Sequence, residues 1–102
     1  MTDADRSRED DLGLTLEDRD WTVHPGEILA ETLSERHMSQ AEFARRMGLT
    51  PKHVSRIVRG HQLYSPKVAL DMERVLGVDA RFWMTLVSNY QTDLLRGRRT
   101  WR

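Results

Sequence analysis

The chain has 102 residues, no cysteine, and equal numbers of acidic and basic residues, so its formal net charge is zero. This length predicts a single domain, and the lack of cysteine excludes disulfide bonds and thiolate metal sites. The N-terminus is acidic, and no apolar run approaches the roughly 18 residues that cross a bilayer, so we expect a cytoplasmic protein without membrane contact.

The charges are distributed unevenly along the chain. Residues 1–35 contain eleven acidic residues and three arginines, a balance of −8, so residues 36–102 carry +8. Residues 1–20 are highly charged and poor in apolar side chains, and such a segment is predicted to be disordered. We therefore divide the chain into an acidic arm at residues 1–20, a domain at residues 21–97 and a short basic tail at residues 98–102.

A first helix is predicted to begin at Pro25 and to end near Arg36. His24 or the residue before it, Val23, is predicted to cap this helix, and His24 is predicted to act as a cap and packing element rather than to bind a ligand. The apolar positions that follow the spacing of a buried helix face are Ile28, Leu29 and Leu33.

The most informative segment spans residues 39–60, where a tight turn separates two short helices. Ser39, followed three residues later by Glu42, forms a capping box, and Gly48 ends the helix that begins there. Thr50 caps the next helix, and the proline after it suits a first helical position. Two helices separated by so short a turn must cross steeply, which is typical of a helix-turn-helix.

Each helix of this segment has one apolar face. The residues predicted to be buried are Phe43, Ala44, Met47, Val54, Ile57 and Val58. Between residues 39 and 67, six basic residues accompany a single acidic one. Such a surface is expected to meet phosphates.

Two further helices are predicted after the helix-turn-helix. Ser65 caps a helix that Gly77 ends. Asp79 then caps a longer helix with a wide apolar face, in which Phe82 and Leu86 are predicted to complete the core. Because no alternating strand pattern is present, we predict an all-α protein with five helices.

Gln40, Ala44, Gly48, Val54 and Ile57 resemble the helix-turn-helix of lambda-repressor-like (XRE) proteins. The segments HPGEIL at residues 24–29, SPKVALDMERVLG at residues 65–77 and RFWMTLVSNYQTDL at residues 81–94 are similar to HigA-type (VapI-like) antitoxins. This resemblance covers roughly residues 21–95. It implies a dimer that binds a palindromic operator in double-stranded DNA, neutralises a small basic RelE/HigB-like ribonuclease toxin and represses its own operon.

Placing residues 51–59 in the major groove gives the candidate DNA contacts. Arg56 is the strongest candidate base contact, because a guanidinium can pair with O6 and N7 of guanine. Lys52, His53 and Ser55 are the other predicted base contacts. The remaining predicted DNA contacts, mainly to the backbone, are Ser39, Gln40, Thr50, Arg59 and Lys67. Arg45 and Arg46 are predicted to be solvated charges.

The last helix is predicted to carry the dimer interface, because in HigA-type relatives this region commonly forms the dimer. The residues that the resemblance assigns to the interface are Trp83, Val87, Tyr90 and Leu94. A dimer would place its two recognition helices about one turn of DNA, roughly 34 Å, apart.

No catalytic residue, metal site or cofactor is predicted. The histidines do not have the spacing of a zinc-hydrolase helix, and no G-x-S-x-G sequence is present, so we expect a non-enzyme.

Two alternatives to an antitoxin remain open: a solitary XRE repressor without a toxin partner, and an adaptor whose helix-turn-helix has lost DNA binding. The acidic arm either engages the toxin or only solubilises the protein. The terminal arginines Arg98, Arg99 and Arg102 either extend the phosphate contact or remain in solvent.

Overall fold

The computed structural model describes residues 21–100, which contain five helices and two very short strands. The elements are β1 (Trp21–Thr22), α1 (Pro25–Glu35), α2 (Gln40–Met47), α3 (Pro51–Val58), α4 (Pro66–Leu76), α5 (Ala80–Leu95) and β2 (Arg99–Thr100). The predicted fold class, all-α with five helices, is confirmed. The acidic arm at residues 1–20 and Arg102 lie outside the described residues.

The helices begin where the capping chemistry predicts. At every N-terminus the side chain of the preceding residue accepts a backbone N–H of the first turn, which satisfies one donor that has no partner within the helix. These capping residues are His24, Ser39, Thr50, Ser65 and Asp79. The predicted capping box is only half formed, because the carboxylate of Glu42 pairs with Arg46 at 2.6 Å.

The core lies where α1, α2, α3 and α4 meet, and α5 closes it by packing against α1 and α4. Its largest fully buried side chains include Trp83, Tyr64 and Phe43. The predicted inward positions of α1, α2 and α3 lie in this core or pack against it. No helix within residues 21–100 combines the length and apolar character needed to cross a bilayer.

The two ends of the described chain are joined by a short parallel pairing of β1 with β2, in which Trp21 lies opposite Arg99. Beneath it, Asp93 accepts hydrogen bonds from Thr22 at 2.8 Å and from Arg98 at 2.5 Å. Asp93 and Arg98 are only 5% and 8% exposed. Arg98, which the sequence left either at a phosphate or in solvent, is therefore buried and paired with Asp93.

Candidate nucleic-acid interface

One face of α3 is polar and basic. Lys52, Ser55, Arg56 and Arg59 follow the i, i+3, i+4, i+7 spacing of a single helix face. The three cations are exposed and Ser55 is half-buried. The opposite face is fixed in the core by two fully buried residues, Val54 and Ile57. The core therefore determines which face of α3 is presented outward.

The N-terminus of α3 is suited to an anion. The hydroxyl of Thr50 accepts the N–H of His53 at 3.1 Å, and the first turn contains no acidic side chain. The positive end of the helix dipole is therefore not neutralised by a carboxylate of the helix itself. Phosphate oxygens commonly bind at such positions.

The predicted backbone contacts are distributed over two further helices. Ser39 and Gln40 are exposed at the start of α2, where the Ser39 hydroxyl accepts the N–H of Glu42 at 3.0 Å. On α4, the ammonium of Lys67 lies 3.2 Å from Asp71, and its side chain is 86% exposed. The exposed pairing leaves Lys67 able to exchange its partner for a phosphate.

Two of the predicted base-contacting residues, His53 and Arg56, are hydrogen-bonded to Gln62, a residue that was not predicted from the sequence. Gln62 lies in the loop after α3, and its Nε2 atom is 2.9 Å from Nε2 of His53. Its Oε1 atom accepts from Nε of Arg56 at 3.4 Å. Gln62 follows no periodic pattern, so only the path of the loop brings it to α3.

The segment before α1 supports the opposite end of α3. His24 caps α1 by accepting the N–H of Gly26 at 2.9 Å, and its ring lies edge-to-face with Tyr90 at 4.7 Å between centroids. Burial lowers the pKa of His24 from its usual value of 6.5; Glu27 opposes this shift and His61 adds to it. The neutral imidazole is therefore the form that caps α1.

Gly26 and Tyr64 also hold the start of α1 close to the end of α3. A Cβ atom on Gly26 would lie 1.9 Å from the carbonyl oxygen of Ile57, so only glycine allows α1 and α3 to approach so closely. The buried Tyr64 hydroxyl donates to the carbonyl of Pro25 at 3.3 Å. Burial also raises the pKa of Tyr64, which keeps this donor protonated. The HPG sequence thus positions α3 relative to α1.

The predicted dimer interface is corrected at two positions. Trp83 is 0% and Val87 is 5% exposed, and both lie within the core of a single chain. They have no surface to offer a partner. Of the other two predicted residues, Tyr90 is half-buried and Leu94 is 42% exposed. Phe82, expected in the core, is instead 47% exposed, because its neighbour Trp83 occupies the buried position.

No group of three or more metal-ligating side chains is found among residues 21–100. His37, His53 and His61 are separate in the sequence, and His24 uses Nδ1 as the acceptor that caps α1.

The helix-turn-helix family HTH_3 matches residues 29–83, which is more than half of the chain. The chain is 36% identical over 62 residues to the HTH-type transcriptional regulator YddM of Escherichia coli K12, covering 61% of this chain and 66% of YddM, just under two thirds of its length. Virulence-associated protein I of Dichelobacter nodosus is 32% identical over 73 residues, covering 71% of this chain and 68% of that protein.

Two solved structures share the fold. PA4674 of Pseudomonas aeruginosa, solved with its 18-bp operator DNA, superimposes with a TM-score of 0.70 at 36% identity, covering 72% of this chain and 81% of PA4674. A HigA-family addiction module antidote protein of Coxiella burnetii superimposes with a TM-score of 0.67 at 30% identity, covering 74% and 82% of the two chains. The chain therefore belongs to the helix-turn-helix family HTH_3, and its relatives include HigA antitoxins.

Proposed function

We propose that this protein is a HigA-like antitoxin that binds its operator as a dimer, represses its own operon and neutralises a RelE/HigB-like ribonuclease toxin. The observation that carries the proposal is the basic outward face of α3, which is fixed by a fully buried opposite face. The structural relative PA4674 was solved with operator DNA.

In this proposal α3 enters the major groove with its N-terminal half nearest the bases. Arg56 contacts guanine, and Lys52, His53 and Ser55 contact neighbouring bases. The remaining residues contact phosphates and set the position of the helix on the duplex: Ser39, Gln40, Thr50, Arg59 and Lys67.

A test of the DNA contact uses fluorescence anisotropy with the DNA upstream of the gene. Arg56→Ala is expected to reduce discrimination at one base position by about 1–3 kcal/mol. Arg59→Ala serves as the control, since loss of a phosphate contact weakens binding to all sequences and reduces the salt dependence. Binding that is insensitive to salt and unaffected by either substitution would favour the adaptor alternative.

The dimer in this proposal forms through α5. After correction, the candidate surface consists of Leu94, the partly exposed Tyr90 and the neighbouring Leu95, which is 90% exposed. A dimer binds two half-sites, so the operator is expected to be palindromic.

Toxin neutralisation is supported by charge and by the antidote function named for the Coxiella burnetii relative. The arm at residues 1–20 is acidic, and Glu27, Glu31 and Glu35 continue the negative charge along α1, which has no basic residue. A basic toxin would be attracted to these groups. We propose that the arm orders on the toxin.

Co-expression with the product of the small reading frame immediately upstream tests this part. Growth rescue together with co-purification would support the antitoxin, and a variant lacking residues 1–20 should lose neutralisation while retaining DNA binding. Full neutralisation by the truncated variant would remove the arm from the mechanism.

A solitary XRE repressor is the second candidate, and the resemblance to the transcriptional regulator YddM favours it. This candidate has the same DNA contacts and no toxin. Sequence-specific operator binding, combined with no toxicity from the neighbouring gene and no complex, would select it over the antitoxin.

A further inference from the structure

Gln62 connects the two recognition-helix side chains His53 and Arg56. Its side-chain amide lies 2.9 Å from the His53 ring and 3.4 Å from Nε of Arg56. Gln62 is half-buried, whereas Arg56 is exposed. An exposed arginine on a helix surface is otherwise free to sample several rotamers.

The donor chemistry determines the orientation of the amide. Nε of Arg56 can only donate, so the atom of Gln62 that faces it must be the oxygen. The amide nitrogen then faces His53 and donates to Nε2 of the ring. This contact requires the tautomer of His53 in which Nε2 accepts.

The loop that carries Gln62 is itself fixed. It leaves α3 through Gly60, whose φ of 84° lies in the left-handed region, and the N–H of His61 donates to the carbonyl of Arg56 at 2.9 Å. Two residues after Gln62, the side chain of Tyr64 is buried in the core. Gln62 is thus held on both sides by ordered backbone.

We propose that Gln62 is a positioning residue for DNA recognition, which holds Arg56 and His53 in the arrangement that contacts the bases. This inference rests on the proposed DNA-binding function. Nε of Arg56 donates to Gln62, whereas none of the described residues accepts a hydrogen bond from the terminal NH1 and NH2 atoms. These two terminal atoms are therefore available to contact DNA. The arrangement selects an end-on pairing of NH1 and NH2 with O6 and N7 of guanine.

Holding the side chains before binding also reduces the entropy that is lost on the DNA. Ordering a long side chain at an interface commonly costs enough to change affinity about three- to tenfold. Gln62→Met removes both hydrogen bonds while keeping the length of the side chain. It is expected to weaken operator binding by about this factor and to reduce the preference for the base that Arg56 contacts.

A double-mutant cycle tests whether Gln62 acts through Arg56. Operator affinity is measured for the wild type and Gln62→Met, and for Gln62→Met added to Arg56→Ala and to His53→Ala/Arg56→Ala. In the Arg56→Ala background, the effect of Gln62→Met should fall to the part that acts through His53. In the His53→Ala/Arg56→Ala background, Gln62→Met should have little further effect on affinity. The control cycle pairs Gln62→Met with Lys67→Ala, whose side chain is paired with Asp71, and these two effects should add.

Two outcomes of these cycles would overturn the proposal. If Gln62→Met still weakens binding when His53 and Arg56 are both replaced by alanine, Gln62 contacts DNA itself. If operator binding is tight and salt-dependent but Gln62→Met matches the wild type in affinity and base preference, Gln62 has no positioning role. Failure of the wild type to bind the upstream DNA would instead refute the proposed function.

An NMR measurement on the free protein keeps the test independent of DNA. The Nε–H order parameter of Arg56 should be high in the wild type and lower in Gln62→Met. Gln62→Glu is the second variant, since its carboxylate still accepts from Arg56, and it should restore the high order parameter. An equally mobile Arg56 in the wild type and both variants would contradict the proposal.

Discussion

Three consecutive residues before and within the first turn of α1 hold the C-terminal end of α3. The ring of His24 lies beside Gly60, and the backbone of Gly26 lies against the carbonyl of Ile57. The carbonyl of the intervening Pro25 accepts the hydroxyl of Tyr64. The HPG sequence therefore determines where α3 ends relative to α1.

Gly26→Ala should destabilise the protein. In an unobstructed helix this change is stabilising by roughly 0.5–1 kcal/mol. Here the new Cβ atom would lie 1.9 Å from a backbone oxygen, so α1 and α3 must separate, with an expected loss of about 1–3 kcal/mol in the free energy of unfolding. Chemical denaturation measures this loss, and the exposed Glu31→Ala is the control on the same helix. A gain in stability would show that the two helices are not in such close contact.

The stability of the fold should depend on the protonation of His24. Its pKa is lowered in the folded chain, so the unfolded chain binds the proton more readily, and the free energy of unfolding should fall as the pH decreases below about 6.5. His24→Asn retains a capping oxygen without a titrating ring. Urea unfolding of both proteins between about pH 5 and pH 8 should give a shallower pH dependence for the variant. Parallel curves would contradict a neutral capping imidazole.

At the scale of the elements, a buried ion pair anchors the strands to the end of α5. The carboxylate of Asp93 accepts from both Arg98 and Thr22, so the segments before α1 and after α5 share one buried anion. A buried carboxylate is costly unless it is paired and hydrogen-bonded. The pairing of β1 with β2 therefore depends on these side chains as well as on its own backbone bonds.

Arg98→Met should lower the free energy of unfolding by about 3–5 kcal/mol, because it removes the buried cation of the Asp93–Arg98 ion pair. The double variant Asp93→Leu/Arg98→Met removes both charges and should recover much of this loss. Thermal unfolding measures the comparison, with the exposed Arg96→Met as the control. Equal losses in Arg98→Met and Arg96→Met would mean that the ion pair does not anchor the strands.

The helix boundaries could be predicted because each depends on a few neighbouring residues. Ser39, Thr50 and Ser65 cap their helices through backbone N–H groups three residues away. The outward face of α3 was also predictable, since a period of 3.6 residues separates its cations from Val54 and Ile57.

Features that depend on distant parts of the chain could not be predicted in this way. Strands of two residues have no alternation to detect. On α5, Phe82 and Trp83 are adjacent in a wide apolar face, and only the position of Tyr64, in edge contact with Trp83, shows which one is buried. Gln62 reaches α3 by the course of a loop, which follows no periodic pattern.

At the scale of the whole molecule, the proposed dimer explains how a small domain reaches useful affinity for DNA. One copy of α3 contacts a single half-site, and linking two copies raises affinity without any new contact to DNA. Leu94 and Leu95, at the end of α5, are exposed apolar residues available for this association. A charged side chain introduced on this surface should dissociate the proposed dimer.

Leu94→Glu should convert the dimer to a monomer and weaken binding to a two-site operator by about a hundredfold. Size-exclusion chromatography with light scattering gives the mass, and anisotropy gives the affinity. Leu70→Glu is the matched control, because Leu70 is also exposed, at 61%, but lies on α4. Dissociation by Leu70→Glu and not by Leu94→Glu would place the interface elsewhere.

The pairing of Trp21 with Arg99 also has a kinetic consequence. It closes a loop that contains almost all of the described residues, whereas α2 and α3 join across a turn of three residues. Closing a long loop loses more chain entropy, and only a few contacts compensate for it here. We therefore expect the helix-turn-helix to assemble early in folding and the strands to join last. Amide hydrogen exchange should accordingly be faster at Thr22 and Thr100 than at Val54.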